Sequence, residues 1–277
     1  MNKRTSIVAG VAAVASIAGL GLVQPASAAT GLTLTVNHPY VRVGTVGSWV
    51  NACTLTGWST APSILTYTAS SPAGIASYDV SYNSGFSPPV TTHYTTNTPA
   101  KWTADNYFGD CGGQGGPGSG GWIVVAHDKA GHSITKQENY TLTVVRWNNS
   151  VTGGLGPNPG SWGFSGGWKS TTCPCADGGS QVNNTKAGAF ALYTAHVSVA
   201  GEHRDLEMAT GPGRGKAAIY LDGVLKKTID THAAVNGNQV YVWDSGALAK
   251  GTHTIKVVNL ATAGHPRIDI NAMTDFN

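Results

Sequence analysis

Apolar and polar residues alternate with period two along most of this chain, in short runs broken by Gly, Pro, Ser and Asn. Residues 75–82 are representative. Ile75, Ser77, Asp79 and Ser81 fall on one face of an extended segment, and Ala76, Tyr78, Val80 and Tyr82 on the other. Runs at 32–36, 41–43, 48–55, 122–126 and 140–147 predict strands in the first half. Runs at 189–198, 204–209, 216–221, 224–230, 239–244, 252–259 and 267–276 predict them in the second. No segment of comparable length sustains a 3.6-residue period, so the pattern predicts an all-β chain built as sandwiches. The sharpest local signal is Asp222-Gly223, set between the apolar runs 217–221 and 224–229. Both central residues of a type I′ turn need positive φ, so a two-residue hairpin is expected there.

The strand pattern lapses over residues 148–157, rich in Gly, Pro and Asn, and this divides the chain into a domain at 29–147 and another at 158–277. Residues 1–28 read differently. Lys3 and Arg4 precede an apolar stretch and then Ala26-Ser27-Ala28, which predicts a cleaved secretory signal peptide and a secreted protein. No later stretch is apolar enough for a membrane span.

Charge changes the picture little. The chain has 17 basic and 14 acidic residues; without Lys3 and Arg4 the balance is 15 against 14, or +1. Such a balance gives no bulk field for nucleic acid or anionic lipid. Export makes disulfides plausible for the four cysteines, Cys53, Cys111, Cys173 and Cys175. Two local bridges are expected, and Cys53–Cys111 would contribute about 4 kcal/mol in the chain-entropy model. Cross-pairing, or a metal pair at Cys173-Pro174-Cys175, stands as the alternative.

If each run in the second half crosses a sandwich once, the loops 171–188, 210–215, 231–238 and 260–266 gather at one end. The other end receives mostly tight turns. The long-loop end carries Arg214, His232, Asn236, Asn238 and His265, with Arg267 at its rim. Binding residues concentrate on loops held by a rigid scaffold, so this end is the expected site.

Several motifs lack their context. Gly163-Phe164-Ser165-Gly166-Gly167 spells a hydrolase elbow without the strand and helix it requires. His203-Arg204-Asp205 matches a kinase triplet by chance, and the Gly-rich 113–118 stretch has no βαβ unit around it. The histidines show no metal-ligand spacing. Calcium could be held by Asp222, Asp230 or Asp269, but no acidic run supports it. Facing carboxylates cannot be paired from the linear sequence. The expectation is therefore no catalytic residue, no metal and no cofactor.

Two resemblances add to this reading. Ile75-Ala76-Ser77-Tyr78-Asp79-Val80, with Ala126-His127-Asp128-Lys129-Ala130-Gly131-His132, resembles bacterial immunoglobulin-like modules, with His132 where those usually carry Asn. The ordered set Trp162–Trp168, Cys173-Pro174-Cys175, Gly211-Pro212-Gly213-Arg214-Gly215-Lys216, Tyr220-Leu221-Asp222-Gly223, Gly251-Thr252-His253-Thr254 and Ile268-Asp269-Ile270-Asn271 resembles the galactose-binding-like jelly-roll modules of secreted actinobacterial proteins. The first resemblance implies a spacer. The second implies a jelly roll and a carbohydrate partner, a polysaccharide or glycan. Sugar binding needs an aromatic face and a few polar donors. Trp162 is the candidate platform, since Trp243 lies mid-strand and Trp168 resembles a framework residue. Arg214, His232, Asn236, His265 and Arg267 are the polar candidates. The alternatives are an adhesive surface protein with protein partners, and an atypical glycoside hydrolase.

Overall fold

The computed structural model describes residues 31–41, 43–44, 63–83, 90–94, 118–146, 161–173 and 180–276. All its regular elements there are strands. In the first half they are β1 (Thr33–Val36), β2 (Tyr40–Val41), β3 (Ser63–Ile64), β4 (Tyr67–Ser70), β5 (Ile75–Asn83), β6 (Val90–Tyr94), β7 (Gly118–Asp128) and β8 (Ser133–Arg146). The second half has β9 (Ser161–Phe164), β10 (Lys169–Thr172), β11 (Ser180–Asn184), β12 (Phe190–Val197), β13 (Arg204–Thr210), β14 (Lys216–Leu221), β15 (Val224–Asp230), β16 (Gly237–Asp244), β17 (Gly251–Asn259) and β18 (Ile268–Phe276). The expected signal peptide, the 148–157 boundary, Cys53, Cys111 and Cys175 lie outside the described residues, so the cysteine pairing remains an expectation.

In the first half, the antiparallel strands β6-β5-β7-β8 form a sheet, and the β1-β4 pair lies across its apolar face. The alternation of β5 decides which side packs. Tyr78 and Val80 are buried beside Trp122, Val124 and Ala126 of β7, while Asp79 stays half exposed. Tyr78 Oη accepts a bond from the Ala69 N–H at 3.2 Å, so the buried phenol stays satisfied. The corner after β7 is organised by Asp128. Its Oδ1 accepts the N–H groups of Ala130 and His132, and its Oδ2 accepts from Ser71 Oγ and His132 Nδ1.

The second half is a two-sheet sandwich. One sheet runs β15-β14-β17-β12-β9; the other runs β10-β11-β18-β13-β16. Successive strands from β12 onward pass between the sheets, except for the β14–β15 hairpin. That hairpin turns on Asp222 (φ 51°) and Gly223 (φ 78°), with Leu221 opposite Val224, as the sequence predicts. Between the sheets lie Trp162, Phe164, Trp168, Tyr193, Met208, Ile219, Trp243 and Ile270.

One feature departs from expectation, and a second is one that the sequence leaves open. The stretch 171–188 is not one loop. β11 runs through it as an antiparallel partner of β10 and pairs β18, and residues 185–189 follow it at the long-loop end. The second is that the halves are joined. β8 pairs β18 from Leu142↔Phe276 to Arg146↔Ala272, making one continuous sheet. Tyr241 of β16 is fully buried in the core of the first half, and Gly44 N–H donates to its carbonyl at 2.8 Å. Tyr40 stacks on His203 with ring centroids 4.8 Å apart.

Candidate functional site

The long-loop end is assembled by backbone pairing before any side chain acts. Gly211 bridges His232, and Arg214 bridges Arg267, each in parallel sense. Gly215 N–H donates to the Arg267 carbonyl, and Thr231 N–H and Oγ1 both bond the Gly215 carbonyl. Gly215 is required by this approach: a Cβ there would lie 1.9 Å from the His265 carbonyl oxygen. Three loops far apart in sequence are thus held in one patch.

The side chains converge on Asp269, which is fully buried. Arg214 Nε donates to Asp269 Oδ2 at 3.1 Å, and Arg267 Nε donates to both carboxylate oxygens at 2.9 Å. Arg267 Nη2 also donates to Oδ1. Arg214 Nη1 donates to Asn236 Oδ1 at 2.8 Å. The His232 and His265 rings lie 4.1 Å apart, and His232 Nδ1 is 3.1 Å from the Pro212 carbonyl. A carboxylate held by two guanidiniums in a closed setting fixes both planes, which costs little further entropy when a ligand arrives.

Five expected residues therefore meet: Arg214, His232, Asn236, His265 and Arg267. Trp162, expected as the platform, does not join them. It is 6% exposed and packs in the core against Phe164 (6.2 Å) and Tyr193 (5.1 Å), so it offers no platform. Its Gly/Ser surroundings suggested a loop, but it lies on β9, paired with Tyr193. Trp168 and Trp243 are core residues too. Asn238 belongs to β16, and its carbonyl accepts from Asn271 Nδ2.

Sequence reading missed Asp269 as the pin. A signal existed: Arg267 and Asp269 are two apart, on one face of a strand. The face itself is polar and buried. Asn183 lies opposite Asp269, and Asn271 sits in a bulge between the Met208↔Ile270 and Glu207↔Ala272 pairs. Glu207 is fully buried opposite Tyr241.

The carboxylates considered for calcium are each engaged. Asp222 Oδ2 lies 2.7 Å from His253 Nδ1, Asp230 Oδ1 accepts the His232 N–H, and Asp269 holds the arginines. Among the described residues no group of three or more His, Cys, Asp or Glu side chains is placed to hold a metal.

A second polar chain crosses the open face of the first half. Ser133 Oγ is 2.7 Å from His127 Nδ1, His127 Nε2 is 2.9 Å from Asp79 Oδ2, and Asp79 Oδ1 is 2.5 Å from His93 Nδ1. The hydrogen bond from His93 leads the causes that hold the Asp79 carboxyl below its usual value. These types could form a nucleophile relay, but they lie in a row across β6, β5, β7 and β8. The neighbouring N–H groups of Ala130 and His132 are committed to Asp128 rather than to an oxyanion. The chain is a cross-strand ladder.

No family model matches this sequence, and no curated protein does. Solved structures resemble it over part of its length. A CBM36-1 domain of a multidomain xylanase from the hindgut metagenome of Trinervitermes trinervoides is 14% identical, with a TM-score of 0.32 over 48% of this chain and 95% of that one. A family 35 carbohydrate-binding module from Clostridium thermocellum is 13% identical, with a TM-score of 0.34 over 48% and 96%. The catalytic domain of a GH87 α-1,3-glucanase is 14% identical, with a TM-score of 0.31 over 48% and 27%. At such scores the likeness bears on neither ligand nor mechanism for this chain.

Proposed function

We propose that the protein is a secreted, non-catalytic carbohydrate-binding protein, with the ligand held at the long-loop end of the second sandwich and the first half acting as an Ig-like spacer. One observation carries the reading: loops 211–215, 231–236 and 260–267 converge on a buried carboxylate that orients two arginines at the surface. Directional donors on a rigid frame are what recognition of sugar hydroxyls requires. The His232 and His265 rings, 4.1 Å apart and tilted by 38°, supply aromatic surface at the site where Trp162 does not. No cofactor enters this reading.

The test is binding of the full chain to a glycan array and to insoluble polysaccharides. Saturable binding that Arg214→Ala weakens about tenfold or more supports the proposal. A second reading has its own support. Val235 (76% exposed) and Leu260 (43% exposed) stand on the same loops, and apolar loop tips suit a protein partner. Silence on glycans together with saturable binding to a cell-surface or matrix protein would favour that adhesive role. Turnover of a glycoside would overturn both.

A further inference from the structure

We infer that the group recognised at this site is an anion borne on the sugar: the ligand is an acidic saccharide, whose carboxylate or sulfate is read by Arg214 and Arg267. The inference rests on the carbohydrate reading above and narrows it.

The charge count at the patch comes first. On the three converging loops and their strand ends Arg214, Arg267 and Lys216 are cationic and Asp269 and Asp230 anionic, and exposed Lys186 of the neighbouring 185–189 loop only adds to the positive side. Asp269 is fully buried and can neutralise only one of the two guanidiniums that bond it. Asp230 lies directly opposite Lys216 across the β14–β15 pair and also caps the His232 N–H. One positive charge is left over, and it belongs to the arginine pair.

The donors come second. Arg214 spends Nε and Nη1, and Arg267 spends Nε and Nη2. Arg214 Nη2 and Arg267 Nη1 have no partner among the described residues. Asn236 accepts with its oxygen, which leaves its amide N–H₂ to donate. The site thus presents donors around a surplus positive charge, the complement of an anionic oxygen group. The side chains of Arg267 and Arg214 are 33% and 15% exposed, so ligand contacts would be partly desolvated and stronger than at an open surface.

Third, the arginines are fixed. A buried carboxylate bonded by two guanidiniums is hard to justify as a source of stability alone, because desolvating the charges offsets much of their attraction. Its clear consequence here is to hold two arginine planes from separate loops side by side.

The test uses the full chain and four soluble polymers: polygalacturonate, dextran sulfate, dextran and xylan. Isothermal calorimetry at low and raised NaCl measures each. The expected result is binding to at least one acidic polymer about tenfold tighter than to the neutral ones, weakening as salt rises. Polygalacturonate alone assigns a carboxylate, and dextran sulfate alone a sulfate. Arg214→Lys keeps the charge but loses the planar fork, and is expected to weaken acidic binding several-fold. Lys226→Ala removes an equal charge from exposed β15, towards the opposite end, and is expected to leave it unchanged. Equal binding of neutral and acidic polymers overturns the anionic inference and leaves the carbohydrate reading standing. Acidic binding that ignores Arg214→Lys, or that Lys226→Ala weakens as much, marks bulk attraction and overturns it as well. Absence of binding to every glycan, including those of the array, overturns both readings. Should Arg214→Lys unfold the chain, competition of glucuronate or glucose 6-sulfate against glucose on the unaltered protein decides the matter.

Discussion

At the scale of single residues, hydrogen-bonded carboxylates do most of the local organising. Asp128 is the clearest. Burial alone would raise its carboxyl, but bonds from the His132 side chain and backbone and from Ser71 outweigh that and hold it at about 2, against an ordinary 3.8. A group lowered on folding stabilises the native state fully above its unfolded value and loses that contribution as pH falls towards the folded one. Melting temperature is therefore expected to fall between about pH 4 and 2 partly through this residue. Asp128→Asn should lower the melting temperature at neutral pH and flatten that acid limb, as thermal melts across the range would measure. In the sequence Asp128 stands within the stretch that carries the immunoglobulin-like resemblance. That its oxygens also bind Ser71 of a distant corner depends on the folded chain.

At the scale of elements, turns and close approaches decide the architecture. The β12–β13 connection is closed by a buried pair: Arg204 Nη2 lies 2.9 Å from Glu202 Oε2, with side chains 1% and 0% exposed. Glu202 Oε1 also accepts from Ser198 N–H and Oγ and from Val199 N–H. Glu202→Gln removes one charge of this buried ion pair and should cost about 3–5 kcal/mol in denaturant unfolding. The loop end depends equally on Gly215. Gly215→Ala places a methyl against the His265 carbonyl and should separate the 260–267 loop from the 211–215 loop. Weakened glycan binding with only a modest change in melting temperature is the expected signature, and unchanged binding would show that the close approach is dispensable. Here the sequence was informative in part. Period-two alternation located seven strands of the second sandwich to within a residue or two. It missed β9, β10 and β11, which are only four or five residues long; β10 and β11 are mostly Ser, Thr and Asn, and the two aromatics of β9 sit between Ser and Gly residues.

At the scale of the whole molecule, β8 and β18 make one sheet of both halves, and Tyr241 belongs to the first-half core while standing on a second-half strand. A spacer on a flexible linker would unfold independently of its neighbour. Shared ladder bonds and a shared core instead predict one cooperative transition. Calorimetry of the full chain should give a single peak, and Tyr241→Ala should shift the whole of it downward, by the roughly 3–5 kcal/mol usual for a buried aromatic. Two resolved peaks, with only one moving, would show the halves to be independent. The same docking has a consequence for binding. The outer face of the β18-β13-β16 sheet is covered near Glu207 and Tyr241, which closes that part of it to a ligand.

The sequence by itself determined the all-β class, the Asp222-Gly223 hairpin and the crowding of Arg214, His232, Asn236, His265 and Arg267 at one end. Each follows from local patterning, since alternation and turn chemistry act within a few residues. Only the tertiary structure decided that Asp269 pins both arginines, that Trp162 is buried beside Tyr193, and that β8 joins β18. Those outcomes depend on which strands become neighbours and which face meets another sheet. Period-two alternation reports that two faces differ, but it does not specify what each of them will touch.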